Sequence, residues 1–597
     1  MRLLFTSFLL FISFAVSGQK QELAQSYFRN GEYEKAILLY EPLHKSNPIR
    51  QDYFKALLTC YQQLEDYVKA QKLLEEQLHR FPNQLYLHVE IGYNYQLQGL
   101  DEIAKKEYEK AINAIHMNPG LGYMIGRTFR ENHLLDYALE SYQLAKKLNP
   151  KLNTEISEAQ IYGEKGDLEK MFSLYLDLID KNENYYSTIQ RYVGYFITTD
   201  SQDPINLLFK KLLLKRAQSD PKDSWNILLS WLFMQQQDFD KALVQEKSLY
   251  LRNPGNFIRI KEIGIVAYEN NDLETAKACF QYILKKNDAE IVDFDIKLQA
   301  DIYLLKIERD LGNKGIGLEK IQKRYKELLA EYGLGEDTIE LQMAYAHFLT
   351  YDFDQPDEAI ERLRSILRLA NSDFDKGMIQ IEIADVLVFT DQFNQALILY
   401  TKVQRNLKNS NLAQEARYKV ARTSYFKGDF QWAQSQLKVL KSSTSQLIAN
   451  DALELSLKIG NNMDKDSLNE GLKKYAKADL LSFQKKNLHA IDTLSYVLMH
   501  FKGKNIEDDA LFKQAELYWE VGMHEAAENN FLNLLENHPE SLFTDDSIYK
   551  LGQLYQNHLN KPERAKEMYE RIIFEFPSSI YLVKSRKAYR KLRGDDL

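Results

Sequence analysis

Five residues come nearest to a catalytic signature. His524-Glu525-Ala526-Ala527-Glu528 has the histidine and glutamate of a zinc-holding helix, but that helix needs a second histidine four places on, where Glu528 stands. None of the eleven histidines pairs with another at that spacing, and single ones such as His347 and His489 are expected to be surface or core groups. Cys60 and Cys279 lie 219 positions apart, which excludes a disulfide framework and a cysteine-rich metal site. The glycines of Gly312-Asn313-Lys314-Gly315-Ile316-Gly317 and Gly333-Leu334-Gly335 follow no strand and lead to no Gly-Lys-Ser/Thr ending. They are expected to be loop glycines, not a phosphate cradle. Asp508-Asp509 and Asp545-Asp546 precede helices, where the backbone dipole favours negative charge. Acid–base work would need one of them buried with a raised pKa, which a helix start is not expected to provide. No catalytic residue, metal or cofactor is expected, and the chain reads as a non-enzyme.

What remains is recognition, and composition narrows its partners. With 77 Lys and Arg against 85 Asp and Glu, the formal charge is 77 − 85 = −8. A phosphate-tracking surface needs a basic stripe. The one dense basic stretch is Lys584, Arg586, Lys587, Arg590, Lys591 and Arg593, read as a solvated helix face, so nucleic acid is not an expected partner. Only 12 prolines and 25 glycines in 597 residues are too few breakers for a chain of many β-turns and favour an all-helical one.

The elements that position any recognition surface follow from a period. Ala36, Ala70, Ala104 and Ala138 are evenly spaced, each 34 on from the last, and nine places before them stand Tyr27, Tyr61, Tyr95 and Phe129. Four places after each alanine come Tyr40, Leu74, Tyr108 and Tyr142, and Pro48, Pro82 and Pro150 close three of the four units. Twelve places before the alanines stand Ala24, Leu58, Gly92 and Gly126, three of them small. Small residues let two helices approach, the aromatics fill the wedge between them, and apolar positions at three- and four-residue intervals give each helix one buried face. A single hairpin cannot cover that face, so hairpins must stack.

This pattern resembles the tetratricopeptide repeat, a 34-residue helix-turn-helix unit with small, aromatic, alanine and closing-proline positions at these offsets. The frame continues through Ala242, Ala276, Ala396 and Ala433 and is close again at Ala515, Tyr518, Gly522, Ala527, Phe531 and Pro539, then Gly552, Tyr555, Ala565, Tyr569 and Pro577. The resemblance implies an all-α solenoid of helical hairpins. The spacing is 33 to 34 as far as Met171 and lengthens to 37 or 38 in later units, so two segments are expected. The expected division is a leader at 1–18, a first solenoid at 19–290, an irregular helical connector at 291–340, a second solenoid at 341–577 and a capping helix and tail at 578–597. Poorly matching stretches fall near 185–220 and 441–470, the latter helical by pattern but not a regular unit.

In the repeat family the first helices present positions 2, 5, 9, 12 and 13 to a groove. Carried over, these are Phe28 and Arg29, then Tyr86 and Tyr93, then Tyr123, Arg127 and Arg130. The second segment offers Tyr418, Arg422, Tyr425, Phe512 and Trp519. Tyrosine and arginine suit binding because they combine large contact area with polar tips, though the same aromatics could pack between units. Gln21 and Gln25 stand where a chaperone-tail clamp has lysine and asparagine, which argues against that ligand.

Residues 1–18 have the three parts of a secretory signal: Arg2, an apolar stretch from Leu3 to Val16, and the small-residue exit Val16-Ser17-Gly18. The fourteen residues of that stretch make about 21 Å of helix, short of the roughly 30 Å hydrocarbon core, so cleavage is expected and no span in the mature chain. The closing stretch from Tyr569 through Phe576-Pro577-Ser578-Ser579-Ile580-Tyr581 is similar to the ends of periplasmic repeat proteins of outer-membrane assembly and Tol-Pal type. Together these imply an exported, periplasmic scaffold, peripheral to the outer membrane, that binds proteins of the cell envelope in outer-membrane protein assembly or secretion. The alternative is a glycan or peptidoglycan binder whose tyrosines stack on sugars. Oligomeric state is not legible.

Overall fold

A computed structural model describes residues 20–255, 257–286, 293–312, 317–441, 446–463 and 468–595. The leader and the residues 313–316 of the glycine-bearing stretch lie outside them. The described residues are helical without a strand: a helix at 20–29 is followed by thirty-one α-helices from Tyr33–Ser46 to Leu582–Arg593. The fold is an α-solenoid in which each helix packs chiefly on its chain neighbours. No helix of the described residues is long and apolar enough to cross a membrane.

The hairpin turn explains why the period is so regular. Positions 31, 65, 99 and 133, spaced like the alanines, all take positive φ, as Gly31, Glu65, Gly99 and His133. The next residue's N–H then reaches back to the carbonyl of the aromatic position: Glu32 to Tyr27 at 2.9 Å, Asp66 to Tyr61 at 2.8 Å, Leu100 to Tyr95 at 3.0 Å and Leu134 to Phe129 at 2.9 Å. This left-handed cap satisfies carbonyls that a helix end leaves bare and turns the chain back on itself. In several turns the following aspartate caps the second helix, as Asp66 accepts from the Lys69 N–H at 3.2 Å.

Packing between the two helices depends on the small position. A Cβ at Gly92 would stand 2.4 Å from Tyr108 Cε1, and one at Gly126 would stand 2.8 Å from Tyr142 Cε1. The same lock recurs at Gly264 under Phe280 and Gly552 under Tyr569, with 2.8 and 2.7 Å. Where Leu58 replaces the small residue, Leu74 replaces the ring, and both are buried. Ala36, Ala70, Ala104 and Ala138 are at most 1% exposed, so each second helix lies flat on its partner. Neighbouring hairpins are joined by rings: Tyr108, Phe129 and Tyr137 have centroids 5.1 to 5.4 Å apart.

The described residues form two compact units, divided after residue 232. In the first, the poorly matching stretch near 185–220 holds the short helix Tyr186–Gly194 and the helix Pro204–Ser219. The expected connector at 291–340 lies within the second unit and includes the helices Phe294–Leu311 and Leu318–Tyr332. Its long-period repeats are interrupted once. The first helices Asn411–Phe426 and Glu470–Phe483 pack side by side, as do Glu470–Phe483 and Ile506–Glu520. An additional helix, Gln446–Asn462, falls between them in sequence and packs on Phe430–Leu440 and against all three.

Candidate functional site

In the first unit the face of the first helices is aromatic and internally cross-linked. Phe28 meets Tyr33 and Tyr40 edge-on at 5.9 and 6.3 Å and shares a cavity of about 340 Å³ with Arg29, Tyr53 and Lys55. Tyr53 donates to Gln21 Oε1 at 2.9 Å on the same wall. Lys55 crosses to Glu131 at 2.5 Å, a carboxylate that also takes the Arg127 guanidinium at 2.8 Å. Arg130 pairs with Glu164 at 2.6 Å. Both arginines therefore hold one hairpin to another or to their own turn, and a partner would have to exchange those contacts. Tyr86 is only 9% exposed and donates to Gln51 Oε1 at 2.8 Å, so its ring is mostly packing. Tyr93 is half-buried, and Tyr123, at 38% exposure with its ring edge-on to Tyr142 at 6.4 Å, is the most open of the three tyrosines.

The second unit carries the larger site, and the inserted helix builds it. Arg422 lies over the Phe426 and Phe483 rings at 5.3 and 4.7 Å, beside Tyr418, in a cavity of about 210 Å³. Tyr425 is 1% exposed and donates to Asp479 Oδ2 at 2.8 Å, which makes it a buried pin between two first helices. Lys458 of the inserted helix lines this cavity and also the next one, of about 820 Å³. There the inserted helix faces the first helices Ile506–Glu520 and Thr544–Asn557 across a cleft floored by Phe512 and Phe543, stacked at 4.6 Å. A cleft of this volume falls in the range that accommodates peptide side chains and small ligands. Trp519 stands outside it, edge-on to His558 at 5.6 Å.

The paired aspartates differ from the sequence-based expectation. Asp508 and Asp509 do sit in the first turn of a helix, but the inserted helix covers that turn. Asp509 is 7% exposed and accepts from the Asn462 amide at 2.8 Å. Burial pushes its carboxyl up to about 6, against the pull of that amide and of Lys458. Burial likewise raises Asp546, which accepts from the Tyr581 hydroxyl at 2.5 Å. A helix start is thus no guarantee of an ordinary carboxyl when another helix shuts out water. Sequence reasoning missed this because nothing in the local pattern says where an irregular helix will dock.

The zinc-like pentapeptide is structural. Glu528 is buried and binds Lys561 at 2.8 Å and Arg564 at 3.2 Å from the next hairpin. His524, at the start of its helix, stacks at 4.4 Å on His558, which closes the first helix Thr544–Asn557 of the next hairpin. The stacking of one hairpin on the next, not a local motif, is what brings these two rings together. No group of three or more metal-capable side chains gathers among the described residues. Cys60 and Cys279 are buried as free thiols, pushed up to about 11 and about 12 by desolvation.

The sequence profile of the tetratricopeptide repeat family matches residues 509–541 and 546–579, the two hairpins that form one wall of the large cleft. No curated protein is significantly similar to the chain. Among solved structures, one titled "Structure of Naa15/Naa10 bound to HypK-THB" aligns at 13% identity and a TM-score of 0.29, over 97% of this chain and 96% of that chain. Another, "Crystal structure of APC/C hetero-tetramer Cut9-Hcn1", aligns at 15% identity and a TM-score of 0.22, over 96% of each chain.

Proposed function

We propose that this protein is a non-catalytic scaffold of the bacterial cell envelope that captures segments of partner proteins along the first-helix faces of its repeats. The observation that carries this reading is the 820 Å³ cleft of the second unit, with a stacked aromatic floor and polar walls on two family-type hairpins. A stacked-ring floor gives an apolar side chain a rigid seat, and the polar rim gives register. The open ring of Tyr123 and the Phe28 cavity offer a second contact area in the first unit.

Export is argued from the leader composition of residues 1–18, and a periplasmic place beside the outer membrane from the closing stretch around Phe576-Pro577. Outer-membrane protein assembly or secretion is the setting that fits both. The test is capture from native envelope with a C-terminal tag, crosslinking and mass spectrometry. One reproducible envelope protein crosslinked near Phe512 and Leu457 supports the scaffold. Recovery of cell-wall fragments without protein would instead make the chain a glycan binder. Cytoplasmic fractionation with an intact Met1 would overturn the export reading.

A further inference from the structure

The large cleft has a charge pattern that selects its occupant. Its walls present the carboxylates of Glu454, Asp508, Asp509, Glu540 and Asp546. Two lysines answer them, and one is already engaged: Lys458 stands 3.9 Å from Glu454 and 4.0 Å from Asp479 of the adjoining cavity. Asp508, Asp509 and Asp546 take hydrogen bonds from neutral groups, namely the Ser541 hydroxyl at 2.7 Å, the Asn462 amide and the Tyr581 hydroxyl. Among the described residues, no cation forms an ion pair with any of the three. Five carboxylates against two lysines and His538 leave the cleft wall acidic.

Apolar surface is the second half of the pattern. Leu457 on the inserted helix and Leu542 on the opposite rim are 43% and 68% exposed, flanking the Phe512–Phe543 stack. From acidic walls over an apolar floor, we propose that the cleft binds a partner segment carrying lysine or arginine next to a large apolar residue, the cation seated among Asp508, Asp509 and Asp546. This deepens the scaffold reading and rests on it. Cation and guanidinium donors would supply what the three carboxylates lack inside the chain, and charge-assisted bonds of this kind are the strong ones. Burial raises the carboxyls of Asp509 and Asp546 by more than the pulls of Lys458 and Lys550 lower them, so a further cation beside them would be favoured. An acidic segment would meet like charge and is disfavoured.

The test is selection of a phage-displayed random peptide library on immobilised full-length protein, followed by fluorescence anisotropy of the selected peptides. Peptides enriched in lysine or arginine beside a leucine, phenylalanine or tryptophan are expected. Their affinity should fall about tenfold or more in the triple variant Asp508→Asn, Asp509→Asn, Asp546→Asn, with unchanged helical circular dichroism. Lys504→Glu, an exposed change on the cleft wall, should instead tighten binding a few-fold at low salt, and the gain should fade as salt rises. Lys504→Glu keeps the inference falsifiable even if the triple variant fails to fold. If selected peptides lose binding with Phe512→Ser but carry no positive charge, the groove stands and this inference fails. If no peptide binds either unit, both fall.

Discussion

The glycine locks permit a cycle whose outcome the chain itself rehearses. At Gly126 a leucine would drive its Cβ to 2.8 Å from Tyr142 Cε1, with Cγ and methyls beyond it. Helix propensity favours the substitution by about 1 kcal/mol, because glycine is a poor helix former. Overpacking opposes it by about 1–3 kcal/mol or more, since both helices are pinned on either side. Gly126→Leu should therefore destabilise. Tyr142→Leu alone removes a ring only 3% exposed and leaves a gap over glycine, at about 2–4 kcal/mol. The double change recreates the Leu58/Leu74 pair of the second hairpin, where both leucines are at most 3% exposed. It should cost less than about 1.5 kcal/mol, giving a coupling of roughly 0.5–4 kcal/mol in favour of the pair. Hydrogen exchange of the helices Gly122–Glu131 and Leu135–Leu148 reads the local effect, because a repeat array need not unfold in one step. Strict additivity of the two single changes would refute the lock.

Three further outcomes are expected. His133, exposed and held at φ 57°, should be improved by glycine: His133→Gly is expected to add about 0.5–1 kcal/mol to local stability, read as slower exchange in the same two helices. Glu528→Gln removes the anion shared by Lys561 and Arg564 and should lower the stability of the last repeats by about 1–3 kcal/mol, without altering metal content measured by atomic emission. Asp509 makes a pH-dependent prediction. Its folded carboxyl titrates at about 6 against an ordinary 3.8, so between roughly pH 4 and 6 the folded chain holds a proton the unfolded chain has lost. Stability from this group is greatest at low pH and declines as pH rises through that window, with Asn462, Lys458, Asp508 and Asp479 all facing it. Asp509→Asn, permanently neutral, should therefore gain on the native chain from pH 4 to pH 7 in urea unfolding. An unchanged difference across that range would remove Asp509 as the cause.

The sequence by itself determined the hairpin. The spacing of Tyr27, Ala36 and Tyr40, repeated from unit to unit, encodes which residue turns, which lies flat and which fills the wedge, because each contact is made within one unit or with the next. Such contacts are short in sequence, so a period read along the chain is a period in space. A spacing the same or one residue longer, in Tyr518, Ala527 and Phe531 and then Tyr555, Ala565 and Tyr569, marked the last two hairpins that the family profile matches. What only the tertiary structure decided is how side chains on different units meet. Tyr425 and Tyr86 occupy groove-type positions yet are buried, one against Asp479 on another first helix and one against Gln51. The irregular helix Gln446–Asn462 could be recognised as helical, but its docking against three first helices turned exposed helix starts into the walls of a cleft. Burial of Asp509 there depends on desolvation, a property of everything packed around a carboxyl and of no local motif.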